Sequence, residues 1–365
     1  MSRLDSELYM KELDSVCRQD LSWEKLAGKT VAVSGATGMI GSFLIDVLMC
    51  KDKVDDLGCK VLALGRSGEK ARERLPYFGR PEFSFEQIDV SVPGAVPQDP
   101  ADYVLHLASA THPRAYATDP IGTIDGNIFG LRNLLSYAHG CGATLLFASS
   151  VEIYGENRGD VERFSESYCG YLDCNTIRAG YNEAKRLGEA ICQAWRAQRG
   201  VTVHIARIAR VYGPTLLPSD TKALSQFIHR ALANKDVVLK SEGTQRYSYL
   251  HVADAVSGLL HVLLKGVDGE AYNLADPGSD TTLRALAQLV ADTGGVNLVF
   301  DLPNPTEAAG YSKATLALMS GAKARDTLGW RASLPLLDGI PETMQIMLAS
   351  QSSGRADFQS ECNAS

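Results

Sequence analysis

The sequence predicts an α/β fold, a doubly wound parallel sheet with a smaller C-terminal substrate-binding domain. Three observations predict it. Short β-branched runs alternate with helical patterns through the first half of the chain, and such alternation builds a parallel sheet covered on both faces. Gly35, Gly38 and Gly41 form G-x-x-G-x-x-G between the first of these runs and a helical pattern. Beyond about residue 211 the alternation loosens into loops, short strands and helices, which is where the smaller domain is placed.

Taken in order, residues 1–26 read as a helical leader, with Leu4, Leu8 and Leu13 near one face. Lys29-Thr30-Val31-Ala32-Val33 reads as a strand, Ser34–Gly41 as a glycine-rich turn and Met39–Met49 as a helix. Strands follow at Val61–Leu64, Ser84–Val90 and Tyr103–Leu107. Asn127–Ala138 is helical, Thr144–Ala148 a strand, Tyr181–Arg199 a long helix and Val201–Ile208 a strand. The expected organisation is a leader over 1–26, a Rossmann-like dinucleotide-binding domain over 27–210, a substrate domain over 211–348 interleaved with it, and a mobile polar tail over 349–365.

The 365 residues suit roughly two domains. The net charge is −7 and the basic residues are not bunched, which argues against a nucleic-acid surface but not against a locally basic pocket. The eight cysteines are scattered with no CxxC pair. Cys169 and Cys174 are closest and lack a metal-ligand motif, so free thiols in a reducing cytoplasm are expected, with no metal. The N-terminus carries acids and no apolar run, unlike a signal peptide or anchor. No other stretch is long and apolar enough to span a bilayer.

The glycines carry the first chemistry. A glycine turn lets backbone approach a pyrophosphate, and the helix N-terminus offers it free N–H groups and a positive dipole end. The strand before and helix after supply the context such a motif needs. Asp89 follows the third strand, where a carboxylate can accept from an adenine amino group. The second strand ends Leu64-Gly65-Arg66-Ser67. An NAD site usually places an acid there for the ribose, whereas arginine suits the 2′-phosphate of NADP. Arg66 is therefore either a phosphate partner or a solvated neighbour of a ribose held by other groups, and NAD and NADP both stay open.

Tyr181-Asn182-Glu183-Ala184-Lys185 puts a phenol and an ammonium one helical turn apart on one face. A nearby ammonium favours phenolate and is expected to lower the tyrosine pKa. Such a tyrosine can take a proton from a hydroxyl whose carbon is being oxidised. Ser149-Ser150-Val151-Glu152-Ile153-Tyr154-Gly155 closes a strand, where the loops of a parallel sheet build sites, and Ser150 can bond the same hydroxyl.

These residues resemble the extended short-chain dehydrogenase/reductase family of sugar-nucleotide epimerases, dehydratases and decarboxylases. The resemblance spans about residues 28–345. It rests on the glycine motif, His106-Leu107-Ala108-Ser109, Asn127, SSVEIYG, YNEAK, Val211-Tyr212-Gly213-Pro214 and the run from Arg246 to Asp254. It implies Ser150, Tyr181 and Lys185 as a catalytic trio with Glu152 beside them. It adds Thr37, Met39, Ile40, Val90, Leu107 and Ala108 to Gly35, Gly38, Gly41, Arg66, Asp89, Tyr181 and Lys185 as cofactor contacts. Tyr116, Asn127, Arg210 and Arg246 are implied for a nucleotide-sugar substrate, Arg246 at the diphosphate. Dimerisation through the helices at Asn127–Ala138 and Tyr181–Arg199 is implied as well.

Within the family, every branch first oxidises C4 of the sugar. A 4,6-dehydratase carries Asp then Glu after the Ser/Thr, and here those slots hold Val151 and Glu152. The acid that would protonate a leaving hydroxyl is missing. Decarboxylation of UDP-glucuronate needs no such acid, because the 4-ketone turns the C5 carboxylate into a β-keto acid. The runs around Arg178 and from His112-Pro113-Arg114-Ala115 to Tyr116 also resemble that branch. Val151, Arg210 (where the branch usually has a substrate-contacting Asn), Arg66 and the leader depart from it. A nucleotide-sugar 4-epimerase or 4,6-dehydratase is the second expectation, and a dinucleotide-sensing protein without turnover is the alternative of another class.

Overall fold

The computed structural model describes residues 2–109, 111, 116, 118–302 and 315–362. A seven-stranded sheet runs through its centre. In chain order its strands are β1 (Thr30–Ser34), β2 (Lys60–Gly65), β3 (Phe83–Gln87), β4 (Tyr103–His106), β5 (Thr144–Ser150), β6 (Val203–Ile208) and β10 (Ala271–Leu274). The spatial order is β10-β6-β5-β4-β1-β2-β3, and every pairing is parallel. Alternation sorts the side chains: Val31, Val33, Ala63, Leu105, Leu146 and Ala206 join one core cluster, while Ala32, Leu62, Leu64, Val104, Leu145 and Val203 join the other. Both faces are thus apolar and covered, as a parallel sheet requires.

The helices are α1 (Glu7–Cys17), α2 (Met39–Asp55), α3 (Gly68–Arg74), α4 (Pro120–Cys141), α5 (Ala179–Arg199), α6 (Ala223–Leu232), α7 (Val252–Lys265), α8 (Leu283–Gly294), α9 (Ala322–Leu328) and α10 (Leu336–Cys362). Asp119 caps α4 through the Gly122 N–H, with Pro120 in the first turn, and the left-handed Gly142 ends it. That helix starts earlier than the sequence pattern placed it. The stretch read as a mobile tail is occupied by α10 as far as Cys362.

A cut at residue 210 does not separate two sheets. The edge strand β10 pairs with β6, and the almost wholly buried α7 lies against β6 and α2. The remaining strands form small sheets: β9 (Arg246–His251) pairs with β7 (Arg210–Tyr212), β11 (Asp280–Thr282) and β13 (Leu316–Ala317), and β8 (Val237–Leu239) pairs with β12 (Leu298–Phe300).

The leader packs on α2 and α7. Leu13 is fully buried with Tyr9 and Val16, while Leu4 and Leu8 pack partly buried against the core. Its anchor is polar. The carboxylate of Asp46, buried in α2, accepts from Arg3 Nε at 2.7 Å, Arg3 Nη2 at 3.0 Å, Tyr9 Oη at 2.5 Å and Tyr77 Oη at 2.8 Å. A buried carboxylate is tolerable only with such partners.

Glu12, on the underside of α1, is 4 % exposed and neither carboxylate oxygen has a hydrogen-bond partner. The nearest basic group is His251 Nε2 at 3.6 Å, and burial pushes that imidazole down to about 3, so it is neutral. Burial first, and then the charges of Glu342 and Asp254, push the Glu12 carboxyl up to about 8. The folded state therefore holds a proton that the unfolded chain releases at ordinary carboxylate pH. Stability should fall as pH rises from the ordinary carboxylate value of 4.5 to about 8, and level off above it. Glu12→Gln keeps the shape without the titration. Its Tm should exceed that of wild type at pH 9 by a few degrees, on the order of 2–4 °C per kcal/mol, and the gap should narrow as pH falls and close near pH 4.5, the ordinary carboxylate value. A gap independent of pH in thermal melts would remove Glu12 as the cause.

Candidate active site

The sheet order reverses between β1 and β4, and a crevice opens at the carboxyl ends of these strands. Gly35 leaves β1 with φ +74°, and a Cβ there would sit 2.8 Å from the Ala108 nitrogen. At Gly41 a Cβ would lie 2.2 Å from the Gly35 carbonyl oxygen. Protein packing alone thus demands glycine at both positions. Gly38 differs. It is the N-cap of α2 with φ −75° and ψ 175°, open to any residue, and a Cβ would meet only the Gly35 oxygen, at 3.1 Å. That contact is tight but the backbone is unstrained, so packing demands glycine less here than at Gly35 or Gly41, and the space beside it fits an outside group such as a pyrophosphate. No side chain caps α2.

Other expected cofactor residues gather on this edge. Thr37, Met39 and Ile40 are half-buried in the turn, and the Met39 carbonyl accepts from Thr215 Oγ1 at 2.9 Å. Arg66 follows β2 and is exposed. Asp89 and Val90 follow β3; Asp89 accepts from the Ser91 N–H at 3.0 Å and Ser91 Oγ at 2.6 Å. Burial opposes ionisation of Asp89, but the Ser91 bonds and the Arg66 charge outweigh it and hold the carboxyl below its ordinary range. Leu107 and Ala108 follow β4, and the Ala108 N–H donates to Ser34 Oγ at 3.3 Å.

The second cluster lies where β5 ends. Ser150 is its last residue, a 3-10 turn covers Val151–Tyr154, and α5 runs alongside. Tyr181 and Lys185 are buried on one face of α5. The Lys185 ammonium donates to the Ala148 carbonyl at 2.8 Å and lies 5.9 Å from the centre of the Tyr181 ring. Burial pushes Lys185 down to about 7, against smaller opposing effects of Cys192 and Glu189. The expected lowering of Tyr181 by Lys185 is not what this arrangement gives. Burial raises the phenol above its ordinary value, and the pulls downward come from a Ser150 hydrogen bond and the Arg210 charge, with Glu152 opposing.

Glu152 is fixed from two sides. Asn182 Nδ2 donates to its carbonyl at 2.9 Å and its Oε2 at 3.3 Å, and Arg210 Nη2 lies 3.2 Å from Oε1. The Arg210 guanidinium covers the Tyr247 ring at 4.0 Å, and the Tyr116 ring stacks on Tyr181 with centres 5.0 Å apart and planes 23° from parallel. Tyr116, Glu152, Tyr181 and Arg210 therefore meet in one place. The sequence reading missed Asn182 and Tyr247. Asn182 sits inside the YNEAK run beside the tyrosine, and Tyr247 sits inside the run from Arg246 to Asp254, but only the tertiary packing of β9 brings it to the site.

Two expected substrate residues stand apart. Asn127 is 1 % exposed; its Nδ2 donates to the Thr123 carbonyl at 2.8 Å and its Oδ1 accepts from Ser109 Oγ at 3.0 Å, so it ties α4 to the segment after β4. Arg246 is exposed at the first residue of β9. The run His112-Pro113-Arg114-Ala115 lies outside the described residues.

A profile of the NAD dependent epimerase/dehydratase family matches residues 31–275. UDP-glucuronic acid decarboxylase 3 of Arabidopsis thaliana is 30 % identical over 315 residues, 85 % of this chain and 86 % of that protein. Among solved structures, the UDP-glucose 4-epimerase of Thermotoga maritima with UDP-glucose is similar at TM-score 0.74 and 22 % identity, covering 88 % of this chain and 99 % of its own. The dTDP-glucose 4,6-dehydratase of Streptomyces venezuelae with NAD bound reaches TM-score 0.73 at 22 % identity, covering 87 % and 96 %.

The glycines separate fold from binding. Gly38→Val should keep the Tm close to wild type and weaken dinucleotide affinity at least tenfold, because its side chain enters the space beside the turn. Gly41→Ala should instead lower stability by roughly 1–3 kcal/mol, the usual cost of overpacking. Fluorescence titration and thermal melts read both, and unchanged dinucleotide affinity in Gly38→Val would refute the cradle.

Proposed function

The chain belongs to the NAD dependent epimerase/dehydratase family, and from that premise we propose that it is an NAD-using nucleotide-sugar enzyme, a UDP-glucuronate decarboxylase. The residues present fit the cofactor on an observation of the fold: Gly38 leaves a space that a Cβ would fill. The turn at 35–41 would hold the pyrophosphate, Asp89 the adenine, and Tyr181 with Lys185 the nicotinamide ribose. Bound there, the dinucleotide would supply reversible two-electron oxidation of C4.

The chain's own residues do the rest. Ser150 and Tyr181 hold the C4 hydroxyl, and Tyr181 takes its proton. The resulting ketone accepts the electrons of the C5–C6 bond as carbon dioxide leaves, and the C5 position is then reprotonated. Tyr181 returns its proton when C4 is reduced again. Ser150 and the Arg210 charge offset part of the desolvation that raises the phenol. The observation that carries the reading is the Glu152–Arg210 pair beside Tyr181, with the buried apolar Val151 in the slot where a dehydratase needs an acid. Similarity to UDP-glucuronic acid decarboxylases supports it.

Incubation with UDP-glucuronate should release carbon dioxide and give UDP-xylose or its 4-keto precursor. Tyr181→Phe should slow this by roughly a hundredfold or more, and Glu152→Ala should abolish it while still binding cofactor. UDP-galacturonate as the product would make the enzyme a 4-epimerase. Loss of water from dTDP-glucose, with UDP-glucuronate untouched, would make it a dehydratase.

Arg66 is exposed at the end of β2 with no acid beside it in the Leu64–Ser67 run, which supports NADP as a second cofactor. Titrating both dinucleotides into apo protein tests this. A preference for NAD that is the same in Arg66→Ala would make Arg66 a bystander.

We also propose a cytoplasmic homodimer. Seven described cysteines are free thiols, as a reducing compartment requires, and no helix among the described residues is long and apolar enough to cross a membrane. Ile121 and Ile124 on α4, Ile177 just before α5 and Leu187 on α5 are exposed, and the two helices pack side by side. Light scattering should find a dimer in wild type and a monomer in Leu187→Asp; a monomeric wild type rejects the interface.

A further inference from the structure

Arg210 is a half-buried cation held in an unusual state. One face of its guanidinium lies on the Tyr247 ring, 4.0 Å from the centre. Its Nη2 meets Glu152 at 3.2 Å. Its Nε is buried and has no hydrogen-bond partner. A buried donor left unpaired is costly, so the Nε edge is built for an acceptor that arrives from outside the chain.

The charge around the aromatic group points to what that acceptor is. Two guanidiniums act here: Arg210 pairs with Glu152, and the positive charge of Arg178 acts on both Tyr116 and Tyr247. Among the described residues, Glu152 is the carboxylate that pairs with Arg210. One more negative charge balances the set. A neutral hydroxymethyl group at C5 of a hexose could accept a bond from Nε but would leave that imbalance. A carboxylate at C5 both accepts and neutralises, and bonds between ionised partners are about twice as strong as neutral ones.

We propose that Arg210 is the specificity-determining residue that selects a hexose bearing a carboxylate at C5. This rests on the nucleotide-sugar reading above and not on the reaction that follows binding. Arg210 also sets the orientation of the carboxylate, because the ring of Tyr247 and the Glu152 contact leave the guanidinium plane little freedom to turn.

The test compares uronate and neutral sugar on the same nucleotide. The NAD-loaded protein is titrated calorimetrically with UDP-glucuronate and UDP-glucose, and with the dTDP forms of both sugars. Wild type should bind the uronate at least about tenfold more tightly than its neutral counterpart, as expected where a buried donor would otherwise be unpaired. Arg210→Asn should cut that preference to about threefold or less, and Arg210→Lys should retain an intermediate part of it. Unchanged NAD affinity and Tm in the variants report an intact fold, and Arg210→Lys serves if Arg210→Asn fails to fold. A uronate preference that survives in both variants overturns the inference, as does a wild type that binds neutral sugars equally well. A preference that is lost in the variants, with no carbon dioxide released by wild type, supports the role of Arg210 and defeats the decarboxylase reading.

Discussion

The close approach of two strand ends governs the rest of the architecture. β1 and β4 are neighbours, and the turn leaving β1 touches the segment leaving β4, so tightly that a single methyl group at Gly35 would overlap the Ala108 backbone. That contact sets where α2 begins. It aligns the uncapped N-terminus of α2 with the crevice, and it brings residues following β2 and β3 to the same edge. The proposed cofactor residues before α4 share the strand-end edge where that contact lies. The sheet could tolerate many apolar exchanges among valine, leucine and isoleucine, but this crossing tolerates no Cβ.

The leader acts on the same helix from behind. Asp46 lies in α2, eight residues after Gly38, and takes two donors from the leader, Arg3 and Tyr9, besides Tyr77. Arg74 adds a further tie, donating from Nη2 to Ser42 Oγ at 3.1 Å and to the Thr215 carbonyl at 2.8 Å. Since Thr215 in turn bonds the Met39 carbonyl, the first turn of α2 is bound to the chain after β7. The leader, the dinucleotide turn and the chain after β7 are thereby connected through short side-chain bonds and not only through apolar packing.

What the sequence revealed follows from the range of the interactions. Val61–Leu64 and Thr144–Ala148 were legible as strands because β-branched and apolar runs bounded by turns are a local signal; the structure extends them to Lys60–Gly65 and Thr144–Ser150. The helix at Tyr181–Arg199 is only two residues longer, because its amphipathic pattern and the glycine after it are both local. α4 begins seven residues before the sequence pattern places it, because Pro120, Gly122 and Gly126 are poor helix formers and its start is set instead by the Asp119 cap. The grouping of Tyr116 with Tyr181 and of Glu152 with Arg210 could be expected only from the resemblance. Residues so far apart in the chain share no periodicity. The Asp46 partners were illegible for the same reason: Arg3 is 43 positions away and Tyr9 is 37. Asn127 shows the converse. Its place in the motif was plain, yet only the fold reveals that its amide is engaged by Thr123 and Ser109.

The site's electrostatics are set by desolvation more than by any single charge pair. Burial is the largest effect on both Tyr181 and Lys185, and it drives both toward neutrality. A phenol and an amine that are both neutral cannot share the load as phenolate and ammonium, so the environment must change before Tyr181 can accept a proton. Arg210 is the fixed positive charge that already favours phenolate, and Glu152 partly cancels it. An anionic substituent that drew on Arg210 would weaken its pull on Tyr181 further. Lys185, 5.9 Å from the Tyr181 ring centre and tied to the Ala148 carbonyl, is pushed down to about 7 by burial, so its charge is only partly present at neutral pH. The proposed substrate selection by Arg210 and the proposed proton transfer at Tyr181 would therefore compete for one guanidinium.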